Sequence, residues 1–142
     1  MADIEKRWQR LQQRLGYSDE ELAILRSRPK YVKMVEGTSQ FVKSKIIAEV
    51  INSRGCICQF KVGDKIVMDG NGHLIRDECP ARMCIWALAP LAGPVNAIFE
   101  RFVEQLDPND LVFDVVSCQD VGVECGGWGR ILMKIRVEST AR

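Results

Sequence analysis

The chain is short of histidine, of net charge and of long apolar runs. Its single histidine, His73, excludes a metal site built from several imidazoles and leaves one candidate for an imidazole general base. Lys and Arg number 20 against 19 Asp and Glu, so no net field draws the protein to nucleic acid or to an acidic membrane. No stretch approaches the roughly 20 apolar residues of a transmembrane helix, and the opening Met1 to Trp8 lacks the apolar centre of a secretion signal. The expected address is cytoplasmic, where reducing conditions favour thiols, metal ligands or core residues over disulfides. Internal repeats and low-complexity segments are also missing.

Cysteine is absent from the first 55 residues and then occurs six times, as Cys56, Cys58, Cys79, Cys84, Cys118 and Cys125. The spacings C-x-C, C-x4-C and C-x6-C match no standard zinc or iron–sulfur signature, and no Cys-x-x-Cys redox pair is present. A clustered set of thiols in an ordinary domain still points to a metal, redox or nucleophilic site, or to a cysteine-rich core. At 142 residues and 46% hydrophobic, the chain is long enough to bury a core without disulfides.

Residues 1–36 are expected to form a helical extension, a pair of helices. Ile4, Trp8, Leu11 and Leu15 share one face, and Gly16 ends the first helix. Ser18 and Glu21 form a capping box for the second, with Tyr17 placed to staple onto Leu22 and Pro29 as its end. The face bearing Trp8 is too short to be stable alone and must dock on this domain or on a partner, and the expectation is another chain, either a sister subunit or a second copy.

Residues 37–142 are expected to form a cysteine-bearing α+β domain, an antiparallel sheet with two helices. Val42 to Ile51 alternates as a strand, although Ile47 and Ile51 make both faces partly apolar and leave a helix open; Leu111 to Ser117 is β-rich, and Arg130 to Glu138 alternates as a strand. Lys65 to Met68 and His73 to Ile75 flank an Asp-Gly-Asn-Gly turn and predict a hairpin. Helices are expected from Ala81 to Ala89 and from Pro94 to Leu106. The loop Gly126-Gly127-Trp128-Gly129 precedes a strand, the opposite context from a phosphate cradle, and predicts a hairpin connection with a packed tryptophan.

Four motifs, Cys58-Gln-Phe-Lys-Val-Gly-Asp, Met83-Cys84-Ile-Trp86-Ala87, Cys118-Gln-Asp120 and Ile135-Arg-Val137-Glu138, resemble a compact cysteine-bearing domain family of anaerobic bacteria and archaea. The resemblance covers residues 43–138. It carries over to Cys58, to Cys84 with Trp86, and to Cys118 with Asp120, while Cys56, Cys79 and Cys125 lie outside the pattern. The helical extension and the Cys125 to Gly129 loop depart from it. The family implies no settled chemistry.

Three soft ligands, Cys58, Cys84 and Cys118, would suit zinc, iron or copper(I), with His73 or Asp120 as a fourth ligand or with an open position. The leading expectation is a small accessory or binding subunit of an anaerobic metabolic enzyme system, with a cysteine-lined metal or ligand pocket. An enzyme in its own right is the alternative. It would use Cys84 as nucleophile or metal ligand and His73 or Asp120 as acid/base group, with a small metabolite held near Trp86 and Trp128. The third reading is a structural domain with inert buried cysteines.

Overall fold

A computed structural model describes residues 1–37 and 39–140. The architecture is α+β. Four helices, α1 (Ala2–Leu15), α2 (Asp19–Arg26), α3 (Pro29–Glu36) and the single turn α4 (Ser39–Val42), lead into β1 (Ser44–Arg54) and β2 (Lys65–Asp69). Two further helices, α5 (Ile85–Leu88) and α6 (Ala92–Val103), precede β3 (Val115–Ser117) and β4 (Arg130–Ser139). The four strands form one antiparallel sheet in the order β2-β1-β4-β3.

Alternation builds the core. Ile46, Ala48 and Val50 of β1, Ile66 and Met68 of β2, and Ile131, Met133, Ile135 and Val137 of β4 pack together with Ala87, Leu91, Ile98 and Phe102 of the helical layer. Phe41 joins them edge-on to Phe99 and Phe102, with ring centroids 5.5 and 5.0 Å away. Each of the larger side chains, the alanines apart, contributes about 1.5–3 kcal/mol by leaving water. Ile47 and Val67, paired across β1 and β2, are also buried, which explains the apolar character of both faces of β1. Asn109 clamps the segment after α6 to β4, since its Oδ1 accepts the Val137 amide at 2.7 Å and its Nδ2 donates to the Val137 carbonyl at 3.0 Å.

Several boundaries differ from the expected ones. Pro29 does not end the second helix: α2 stops at Arg26, and Pro29 opens α3, where its fixed φ and missing N–H suit a first helical turn. The extension is therefore three helices, not a pair. Gly16 at φ 70° and the Ser18–Glu21 capping box stand as expected, the Ser18 amide donating to Glu21 at 2.9 Å and the Glu21 amide to Ser18 Oγ at 3.2 Å. Val42 belongs to α4, the second arm of the predicted hairpin is a single bridge between Met68 and Leu74, and the strand from Leu111 shortens to Val115–Ser117.

The largest correction concerns Trp8. Trp8 itself is covered from within the chain, because α1 and α2 both pack on α3, and α3 packs on α6, while Ile4 and Leu11 on the same face are half-buried and Leu15 is exposed. Trp8 is 2% exposed, with the Arg26 guanidinium 5.3 Å from its ring centre, so it is not an unpartnered side chain awaiting another subunit. Arg7 donates to the Glu36 carbonyl at 2.8 Å, and Lys30 and Lys33 pair with Glu100 and Glu104 of the α6 end at 3.0 and 2.9 Å. These exposed pairs add little energy but fix how the helices sit. Among the described residues no helix is long and apolar enough to cross a membrane.

Candidate functional site

The loop after β1, the start of α5 and the end of β3 meet at one end of the sheet. Gly55 at φ 65° and Gln59 at φ 63° fold the chain back on itself there, and the Gln59 amide donates to the Cys56 carbonyl at 3.0 Å. Buried Phe60 anchors the loop, its carbonyl accepting Ser53 Oγ at 2.6 Å. This holds Cys56 and Cys58 beside the core. Cys84 is the residue before α5, in extended conformation, and its carbonyl accepts the Ala87 and Leu88 amides at 3.1 Å. The helix thus starts four residues later than the expected Ala81, and Cys84 lies outside its first turn. Cys118 follows β3: its amide donates to the Ile131 carbonyl at 3.1 Å, and its sulfur accepts the Ile131 amide at 3.4 Å. The next amide, that of Gln119, donates to the Trp86 carbonyl at 2.9 Å and ties the two cysteine segments together.

The result is a crevice of about 20 Å³ whose walls include Cys56, Cys58, Cys84, Cys118, Trp86 and Asp120. That volume holds one water molecule or one ion, whereas metabolite pockets run to hundreds of Å³. Cys58 donates its thiol hydrogen to the Arg82 carbonyl at 3.8 Å. Burial first, then the proximity of Cys84 and Cys56, pushes the Cys58 thiol above its ordinary pKa, and Arg82 opposes the rise. Cys84 and Cys56 thus both lie near the Cys58 thiol, and Cys56, set aside by the motif comparison, is part of this cluster. Among the described residues no group of three or more His, Cys, Asp or Glu side chains is arranged to hold a metal ion: the thiols surround the cavity without converging on one point.

Asp120 sits in the crevice wall but is committed elsewhere. Its Oδ1 accepts the Gly122 amide at 2.9 Å and the Trp128 amide at 3.0 Å. Those backbone donors, Gly122 foremost, hold its carboxyl below the usual carboxylate range. It organises the loop from Gly122 to Trp128 and has no proton to trade near neutral pH. Gly127 has no Cβ because one would run into that carboxylate, and Gly129 because one would run into the backbone of Arg54 and Gly55.

The other candidates lie apart. His73 is on the turn after β2, exposed, with Nδ1 3.2 Å from Asp69 Oδ2, and does not line the crevice. It is therefore not placed as acid/base partner to Cys84. Trp128 is 67% exposed and lines an adjoining cleft with Arg54 and Val123, so the packed tryptophan expected of this loop is not found. Cys79, just after the turn Arg76–Glu78, accepts the Val67 amide at 3.3 Å and donates to the Val67 carbonyl at 3.4 Å, a structural thiol bonded to the edge strand β2, and Cys125 is exposed. A wider apolar groove of about 560 Å³ lies between α6 and the segment leading to β3. Its charged residues Arg101 and Asp110 pair with each other at 3.1 Å and Glu100 pairs with Lys30, which leaves it no group for chemistry.

No protein-family model, curated protein or solved structure matches the chain. The likeness to the cysteine-bearing family thus rests on the motif residues alone.

Proposed function

We propose that this protein is a small accessory or binding subunit that holds one soft metal ion, zinc or iron, in the cysteine-lined crevice. The observation that carries this reading is the meeting of Cys58, Cys84 and Cys118, from three distant segments, around a cavity the size of one ion. Free thiols rotate about χ1, and ionisation on metal binding would turn them inward from the carbonyl and amide partners they now have. The rim supports the accessory role. Ile57 and Trp86 at the crevice, with Val121, Val123 and Trp128 beside it, leave an apolar surface exposed, the kind of patch that marks protein contact. A partner would be met here and not through the Trp8 face. Placement in anaerobic metabolism draws only on the motif resemblance.

Stand-alone catalysis by Cys84 has less support, because the cavity is too small for a metabolite and neither His73 nor Asp120 serves it as acid or base. Elemental analysis of protein purified anaerobically checks the proposal. The expected result is about one zinc or iron per chain, as a single site implies, with loss of that metal in Cys84→Ser and retention in Cys125→Ser. Metal-free wild-type protein that also fails to take up added zinc or ferrous iron would rule the reading out.

A further inference from the structure

Gly129 lines two cavities, the cysteine crevice on the core side and a cleft of about 270 Å³ on the face of β1 and β4 turned away from the helices. Alternation puts two arginines in that cleft. Ile131 is buried in the core, so Arg130 and Leu132 on either side of it project the other way, and across the strand pair Arg54 faces Arg130 while Asn52 faces Leu132. Independently of the metal reading, we infer that this cleft binds a ribonucleoside monophosphate, with the phosphate between Arg54 and Arg130 and the base against Trp128. The volume suits a ligand of that size, since small-molecule pockets begin at about 300 Å³.

Like charges directly opposite on neighbouring strands repel each other, and among the described residues no acidic side chain pairs with either Arg54 or Arg130. Elsewhere on the same face the bases are neutralised: Lys45, Lys134 and Arg136 pair with Glu78, Asp114 and Glu49 at 2.6, 2.7 and 3.3 Å. A phosphate resolves the conflict, because each guanidinium fork can donate parallel hydrogen bonds to its oxygens. Trp128 supplies the apolar half of the site. Its side chain is 67% exposed, with no cation or aromatic ring stacked on it among the described residues, while its amide is fixed to Asp120 at 3.0 Å. An uncovered indole on a pinned backbone is a stacking platform for a planar base. Glu124 in the same wall disfavours a ligand that is only an anion. It calls for hydroxyl or amino donors beside the charge, which a ribose or an exocyclic amine provides. Because Trp128 also belongs to the apolar rim, an occupied cleft changes the surface that a partner meets.

Isothermal titration calorimetry of the full chain with AMP, GMP, CMP and UMP tests the assignment. At least one is expected to bind within the roughly 1 μM–1 mM range of small-metabolite sites. Its nucleoside without phosphate, and inorganic phosphate without a base, should each bind at least about tenfold more weakly, since each keeps only half of the contacts. Arg54→Ala and Arg130→Ala should each weaken binding by about tenfold or more, the least that a lost charged hydrogen bond costs. Trp128→Ala should weaken it by about fivefold or more, through lost stacking. Binding of none of the four nucleotides, or equal affinity in wild type and all three variants, would overturn the inference. A single-stranded oligonucleotide that binds more tightly than any mononucleotide would overturn the small-ligand assignment. Should a variant not fold, nitrogen-15 NMR of the wild type decides. Nucleotide-induced shifts centred on residues 52–55 and 121–132 support the cleft, and shifts confined to other residues refute it. The metal reading is unaffected by either result, because zinc uptake is measured separately.

Discussion

Replacing Trp8 with alanine is expected to lower the stability of the chain by about 3–5 kcal/mol while leaving its sedimentation unchanged. The ring is 2% exposed and lies where α1 crosses to α3, so truncation leaves a large cavity that rigid helices fill only in part. Arg26 stacks 5.3 Å from the ring centre and also pairs with Glu5 at 3.0 Å, so its cation–π contact, about 0.5–1 kcal/mol, would be lost as well. Against a total of about 5–15 kcal/mol for a domain, the loss is a substantial fraction. Urea unfolding monitored by circular dichroism measures it. A change below about 1 kcal/mol, the ordinary surface range, or a shift in sedimentation would show that the tryptophan faces another chain after all.

Metal loading is expected to have an effect of similar size in the opposite direction. An ion bound only by the folded chain stabilises it by about 4 kcal/mol when its free concentration is a thousand times the dissociation constant. The thiol segments it would join are separated by long loops, and a cross-link between distant segments restricts the unfolded chain. Zinc should therefore raise the thermal midpoint of the reduced protein, a chelator should return it, and Cys84→Ser should show neither response. Thiolates are the ligands, so the gain should diminish as the solution is made acidic. An unchanged midpoint at saturating zinc, in the presence of intact thiols, would contradict the proposal.

How much of this was legible in the sequence depends on whether a signal is local. The Ser18–Glu21 capping box, the Gly16 stop and the alternation of Ile131, Met133, Ile135 and Val137 are local, and all three appear as read. Pro29 misled because proline both terminates the helix before it and initiates the one after it, and the residues around it do not say which. Trp8 misled for a different reason: its cover comes from α3, whose own docking on α6 through Lys30 and Lys33 has no trace in the first helix.

The site divides the same way. Motif likeness singled out Cys58, Cys84, Cys118, Trp86 and Asp120, and these five line one crevice. It passed over Cys56, for which the only signal was its place two residues before Cys58. His73 and Trp128 were chosen on chemical type alone, and type says nothing of position. Asp120 is a candidate fourth ligand or acid/base group by type, and the amides of Gly122 and Trp128 that occupy it come from a loop whose shape no local pattern specifies.

The most direct measurement is mass-spectrometric mapping of thiol alkylation on the reduced protein, before and after one equivalent of zinc is added. The account predicts that Cys58, Cys84 and Cys118 become protected together, while exposed Cys125 reacts as before and Cys79, held to the Val67 backbone, shows no change. Six cysteines that react identically with and without zinc would contradict it.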